Sequence, residues 1–450
     1  MFCLIKASKN TWLYLSTLLA AGLISGCQPS AQRVYLMPPP VAISTGASDP
    51  FVGTPEKEKD SNILVGYATN RMPIGAREAR FYTRSFDDDL RMGVVTIQIG
   101  DGNQSWDEIR ELSSNVAHKG QILLTLANAR EVAALGAKDS LATLSPKMVK
   151  MMGDFNQYID RSPSKEITLY VHGANNNFYR SAAQAAQYRH FTGRQSVVLM
   201  FSWPSAENII RYGTDVRNIR STVPTFVRYL RLLAKHSSAR KINILAYSAG
   251  ATLVNEALAI LGEDTTTTDR QDYRDSLRLG TIYFAAPDTD FDDWVIQYRS
   301  YQDIVDSVTV TINMEDSTLA MAQEDRSARA FKSWEYEAPA KSRLGRPDLE
   351  DINTADAEWV QAQTKTSKLD VLFIDPTTIP GIEKGSHAFW YQSPWVSNDA
   401  MLNIELHASP ASRGLAEYET KRGTRIWYFP ADYEDRIVDT IEQLNNQYHR

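Results

Sequence analysis

The 450-residue chain is 43% hydrophobic and 23% charged. These are ordinary values for a globular protein and argue against a disordered, fibrous or multi-span membrane chain. A formal net charge of −6 gives no reason to expect nucleic acid as a partner, because such binding favours a basic face. The length accommodates one large domain or two of ordinary size.

The chain begins with a short basic stretch, Lys6 and Lys9, followed by an apolar run from Trp12 to Ile24 that ends in Ser25-Gly26-Cys27. The run is too short for a comfortable membrane span and finishes in small residues, as a secretory signal does. Residues 1–26 are therefore expected to be a signal peptide. A cysteine directly after Ser-Gly resembles the lipobox of bacterial lipoproteins. That resemblance implies cleavage before Cys27, acylation of its sulfur with a fatty acid such as palmitate, and attachment to a membrane through the acyl chains. Gln28 in the next position, rather than an aspartate, implies the outer membrane, with the protein facing the periplasm. The other cysteine, Cys3, would leave with the signal, so no disulfide is expected. Residues 27–61 contain Pro38-Pro39-Pro40 and the charged run Glu56-Lys57-Glu58-Lys59-Asp60, and read as a flexible tether. The folded domain is expected to span 62–450.

Within that domain, short β-branched runs at 63–67 and 94–99 predict strands. Residues 105–160 are rich in Leu and Ala and read as mostly helical, an insertion without a clear strand. Apolar runs at 167–171, 196–201, 242–246, 281–284, 308–312 and 371–374 predict further strands. Between them lie helical patterns: one around 182–186, a long one over 206–236 broken near Pro224, one at 249–261 and one near 292–303. Residues 318–366 are polar and read as a second insertion near an active-site rim, and a last helix is expected from Asp435 to Gln447. Continuous apolar strands alternating with helices predict a mostly parallel sheet covered on both faces, a doubly wound α/β architecture.

The segment Ala246-Tyr247-Ser248-Ala249-Gly250 directly follows an apolar strand and directly precedes an amphipathic helix. A nucleophile elbow needs such a turn, with small residues two before and two after the serine. The common pattern has glycine where Ala246 stands, and alanine is small enough for many such turns. The turn would expose the Ser248 hydroxyl near a helix N-terminus, where developing negative charge is favoured. Upstream, His172-Gly173-Ala174-Asn175-Asn176 follows the strand ending at Val171. A His-Gly segment in that place supplies one oxyanion donor, and the residue after the nucleophile supplies the other. The expected donors are the backbone N–H of Ala174 or Asn175 and that of Ala249, with His172 orienting the loop.

These segments, with Phe201-Ser202-Trp203-Pro204-Ser205 between them, resemble an uncharacterised bacterial α/β-hydrolase family. That family reads His-Gly-x-Asn-Asn, Ser-Trp-Pro-Ser and Ala-His-Ser-Met-Gly in this order. Ala68-Thr69-Asn70-Arg71 and Ala285-Ala286-Pro287-Asp288 extend the likeness over about 62–400, and Tyr247 replaces the family's usual histidine. The resemblance implies an α/β-hydrolase fold and a Ser-Asp-His triad in that chain order. Of the histidines after Ser248, His387 sits in a segment resembling the family's Gly-His-Ser-Tyr ahead of Ser393-Pro394. His407 is the next choice, and His449 reads as a tail residue. Asp316 resembles the acid of the family's Asp-x-Ala-Leu segment. Asp288 also ends a strand and is the alternative acid, and either aspartate can instead cap the helix that follows it.

Ser162-Pro163-Ser164-Lys165 matches Ser-x-x-Lys but precedes a strand instead of opening a helix. Asp288, Asp290, Asp292 and Asp293 lack the glycine and terminal glutamate of a calcium loop. No residue cluster requires a metal or organic cofactor. The expected activity is serine-dependent hydrolysis of a small-molecule or lipid acyl ester at the cell envelope. Amidase or acyltransferase chemistry on the same site, and a catalytically inactive interaction protein, are the alternatives.

Overall fold

The computed structural model describes residues 33–118, 121–206, 212–264, 269–324, 342–347 and 354–448. The strands are β1 (Val34–Tyr35), β2 (Asn62–Ile74), β3 (Phe81–Ile99), β4 (Leu123–Leu135), β5 (Ile167–Val171), β6 (Val197–Ser202), β7 (Ile242–Tyr247), β8 (Leu279–Ala285), β9 (Ser307–Ile312), β10 (Leu369–Phe373), β11 (Ala416–Glu419) and β12 (Arg425–Tyr428). After a short helical turn at Val41–Ser44, the helices are α1 (Trp106–Ser114), α2 (Pro146–Arg161), α3 (Phe178–Phe191), α4 (Tyr212–His236), α5 (Gly250–Gly262), α6 (Arg270–Leu277), α7 (Phe291–Tyr301), α8 (Ser317–Glu324), α9 (Thr354–Thr364), α10 (Phe389–Gln392), α11 (Pro394–Leu406) and α12 (Tyr433–Tyr448).

One sheet runs β1-β4-β3-β2-β6-β5-β7-β8-β9-β10-β12-β11. It is parallel from β2 through β6, β5, β7, β8, β9 and β10 to β12. Both edges are antiparallel. Side chains alternate between the two faces of each strand. Ile167, Leu169 and Val171 of β5 join Val197, Leu199 and Phe201 of β6 in a core covered by α2, α4, α5 and α7. Tyr170, Val198, Met200, Leu245 and Tyr283 point the other way, into a core covered by α3, α10, α11 and α12. The apolar-throughout strands of the sequence are therefore those buried on both faces.

Three expectations need correction. Residues 105–160 do contain a strand, β4, which pairs with β3 from Leu90↔Leu135 to Ile99↔Leu124. Its residues, Leu-Leu-Thr-Leu-Ala-Asn-Ala-Arg-Glu-Val-Ala-Ala-Leu, have good helix propensity, and pairing along a long neighbour overrides that weak local preference. Helix α4 continues through Pro224 instead of breaking there. Val223, Phe226, Val227 and Leu230 bury on one of its faces, and that packing offsets the roughly 3 kcal/mol a proline costs inside a helix.

The third correction concerns the expected tether, since packing begins at Val34. Val34 and Tyr35 pair with Leu124 and Leu123 of β4, and Leu36, Met37, Val41, Ala42, Ile43 and Phe51 are buried. The charged run is also tied down. Glu58 pairs with the buried Arg189 of α3 at 2.6 Å. Arg194 donates to the carbonyls of Glu58 (2.6 Å) and Asn62 (2.9 Å). Charges that resembled solvated linker are partners for buried arginines. Cys27 and the signal segment lie outside the described residues, as do His449 and much of the 318–366 insertion. Of that insertion, residues 342–347 run along the end of the sheet where Ser248 lies. Gly345 donates to the Pro287 carbonyl (2.9 Å) and accepts from Asn313 N–H (2.8 Å).

Candidate active site

Strand β7 passes into α5 through two residues, Ser248 and Ala249, and Ser248 has a φ of 53°. A non-glycine residue in the left-handed region costs of order 1–3 kcal/mol and persists only where its surroundings hold it. Here Ser248 N–H donates to Ala285 O (2.9 Å), and its carbonyl accepts from Ala251 N–H (2.9 Å) and Asp288 N–H (3.1 Å). The turn also requires close approach by its neighbours. A Cβ at Gly250 would lie 2.5 Å from His172 O, and one at Gly173 would lie 2.6 Å from the Ser248 Cβ. Ala246 faces the core and tolerates its methyl, which accounts for alanine in the first small position.

His387 reaches this serine from the loop before α10. Its Nε2 accepts from the Ser248 hydroxyl at 2.7 Å, and its Nδ1–H donates to Asp316 Oδ2 at 2.6 Å. The Asp316 side chain is fully buried and that of His387 is 12% exposed. The other oxygen of Asp316 accepts from Leu319 N–H (2.9 Å), so the residue caps α8 as well as holding the imidazole. The histidine loop is fastened to the aspartate loop by Asn313 Nδ2 to Ser386 O (3.0 Å) and Ser317 Oγ to Gly385 O (2.8 Å). Gly385 has a φ of +83°.

Asp288 borders the elbow through its backbone, but its carboxylate is engaged elsewhere. Its carboxylate sits 3.3 Å from Arg343 Nε, and its backbone carbonyl accepts from Thr252 Oγ1 (2.6 Å). His407, the other candidate base, bonds Glu166 (2.9 Å) and Thr281 (3.2 Å) beside the N-terminal ends of β5 and β8, at the opposite end of the sheet.

The expected oxyanion donors also separate. Ala249 is the N-cap residue of α5, and no side chain caps that terminus among the described residues. Asn175, at φ 55°, turns its N–H toward Asp215 Oδ2 at 3.5 Å. Behind this loop, His172 is buried and stacks on Trp203 with ring centroids 5.0 Å apart. Its Nδ1–H donates to Gly173 O (2.7 Å). Burial, with Arg71 nearby, lowers its pKa from 6.5 to about 3, so it remains a neutral strut.

Two further residues brace the same loop, and no local sequence signal marks them for that role. Arg71 donates to Asn176 O (2.7 Å) and Ser202 Oγ (3.0 Å). Asp215, in the first turn of α4, accepts from Ser205 Oγ (3.0 Å) and from Ala206 N–H. The segments around Arg71, His172 and Trp203, scattered in the chain, thus form one buttress. Among the described residues no group of three His, Cys, Asp or Glu side chains is placed to hold a metal ion.

Residues 148–368, just under half of the chain, match the model of a family described as alpha/beta hydrolase of unknown function (DUF900). No curated protein matches the chain. Among solved structures, the chain is similar to esterase B from Lactobacillus rhamnosis (HN001), at 8% identity over 63% of this chain and 78% of that one, with a TM-score of 0.31. A C6-C4 SN3 inhibited form of esterase B matches at 10% identity over 63% and 79%, also with a TM-score of 0.31. Taken with the mostly parallel sheet covered on both faces, the family match identifies an α/β-hydrolase fold.

Proposed function

We propose that the protein is a serine hydrolase that cleaves acyl esters, with Ser248 as nucleophile, His387 as base and Asp316 as acid. The observation that carries this reading is the continuous hydrogen-bonded run from Ser248 through His387 to Asp316. His387 Nε2 takes the hydroxyl proton as Ser248 Oγ bonds to the acyl carbon, and the carbonyl electron pair moves onto oxygen. The N–H groups of Ala174 and Ala249 stabilise that oxyanion at the positive end of α5. His387 then returns the proton to the departing alkoxide, and water, activated the same way, releases the acyl group. Asp316 keeps the imidazole in the Nδ1–H tautomer and stabilises its charged form.

The lipobox-like Ser25-Gly26-Cys27 supports attachment through an acylated Cys27 to the outer membrane, facing the periplasm. Among the described residues no helix is long and apolar enough to cross a membrane. Metabolic labelling with a palmitate analogue tests the anchor: incorporation lost in Cys27→Ala supports it, and incorporation that persists refutes it. Hydrolysis of p-nitrophenyl esters of graded chain length tests the chemistry. Turnover abolished by Ser248→Ala is expected. A well-folded wild type that leaves every ester intact would instead favour amide or transfer chemistry, or an interaction role that Ser248→Ala preserves in cells.

A further inference from the structure

The steps above ask nothing of Tyr247, the residue between β7 and the nucleophile. Its ring nevertheless packs on the His387 imidazole, with centroids 5.4 Å apart and planes 37° from parallel. Tyr391 of α10 stands edge-on to Tyr247 at 5.9 Å, and Trp390 lies 6.3 Å away. Trp390 in turn packs on Tyr170 of β5 at 5.4 Å. Tyr247 is buried. Asp316 and Ser248 fix the imidazole within its own plane, whereas an aromatic ring against its face resists rotation out of that plane.

We propose that Tyr247 is a positioning residue for His387, holding the imidazole between Asp316 and Ser248 and stabilising the imidazolium through the face of its ring. The inference rests on the hydrolase reading for its consequence in catalysis, but not for its physical content. When the serine proton passes to Nε2, the imidazole gains a positive charge. A cation within about 6 Å of an aromatic centroid is attracted by the ring's negative face, and a desolvated site strengthens that attraction. The effect is about ten-fold on the step that forms the imidazolium, equivalent to about one pH unit in the His387 titration.

Other groups also act on this pair. Asp316 faces His387 from the β9–α8 connection and Ser248 from the elbow. Tyr391 approaches Tyr247 from α10, and Arg180 of α3 acts electrostatically on the Tyr247 hydroxyl. Lys384 and Glu315 pair with each other at 3.4 Å on the rim. All of these remain in a Tyr247 variant, and Tyr247→Phe, which keeps the ring and loses only the hydroxyl, separates the ring's contribution.

The test is an NMR titration of the His387 ring, assigned by its loss in His387→Ala, in wild type, Tyr247→Phe and Tyr247→Leu. Tyr247→Met substitutes if the leucine variant does not fold. His387 is expected to titrate about one unit lower in the non-aromatic variant and to keep its wild-type value in Tyr247→Phe. The acid limb of ester hydrolysis should move down by the same amount, with kcat falling about ten-fold and KM unchanged. An unmoved titration in Tyr247→Leu, or an equal fall in Tyr247→Phe, overturns the proposal. A wild type that shows the shift but hydrolyses no ester removes the hydrolase reading and keeps the ring contact. Normal hydrolysis with an unmoved His387 does the reverse.

Discussion

Replacing Gly173 with alanine tests whether the elbow and the oxyanion loop are fitted to one another. The added Cβ would lie 2.6 Å from the Ser248 Cβ, 3.1 Å from Tyr247 O and 3.2 Å from the Ser248 hydroxyl. Carbon atoms sit comfortably at about 3.5–4.0 Å, so the loop and the elbow would have to part by roughly 1 Å. Gly173 is outside the left-handed region, so alanine suits its backbone and the effect is purely steric. Overpacking of this kind costs about 1–3 kcal/mol in stability, and a displacement near 1 Å at reacting groups costs about 100-fold in rate. Denaturant unfolding and the rate of fluorophosphonate labelling, measured in parallel, read both. Gly153→Ala in α2 is the control, because nothing lies within 4 Å of its added Cβ. It should stabilise by about 0.5–1 kcal/mol and leave labelling unchanged. A Gly173→Ala protein with wild-type stability and labelling rate would show that elbow and loop are not fitted to one another.

Asp316→Asn should lower kcat by roughly 10⁴-fold by spoiling the His387 tautomer, whereas Asp288→Asn, which disturbs a carboxylate beside Arg343, should cost far less. Steady-state ester hydrolysis distinguishes them, and the opposite ranking would make Asp288 the acid. His407 has its pKa raised above 6.5 by its hydrogen bond to Glu166. That contact therefore stabilises the fold fully below pH 6.5, and its contribution fades as pH rises through the folded value. Urea unfolding should show His407→Gln destabilised at pH 5.5 and close to wild type well above the folded pKa, with hydrolysis intact throughout. Arg413 pairs with Asp399 at 2.7 Å, both side chains fully buried, and Asp399 also accepts from Tyr283. Arg413→Met strands that carboxylate and should cost about 3–5 kcal/mol in denaturant unfolding.

The parallel part of the sheet was legible because strands such as β5 and β8 bury both faces and read as unbroken apolar runs. Strand β4 was not, because its Ala, Leu, Arg and Glu are good helix formers and pairing with its neighbours, chiefly β3, makes them a strand. Residues 27–61 read as a tether because proline and charge usually stay in water, and the arginines that hold Glu58 lie far along the chain. At the site, Ser248 announced itself by its place between strand and helix, while His387 and Asp316 needed the family resemblance. In the sequence Arg71 and Tyr247 stand out only as parts of the family likeness and Asp215 not at all, because their roles follow from topology. Arg71 reaches the oxyanion loop only because β2 lies beside β6, an order that local sequence does not encode.

Fluorophosphonate labelling of residues 28–450, with the modified peptide identified by mass spectrometry, tests whether Ser248 is the nucleophile. A single phosphonylated residue, Ser248, is expected, with labelling abolished in Ser248→Ala and in His387→Ala. Labelling that survives Ser248→Ala, or a folded wild type that takes up no probe, would contradict that expectation.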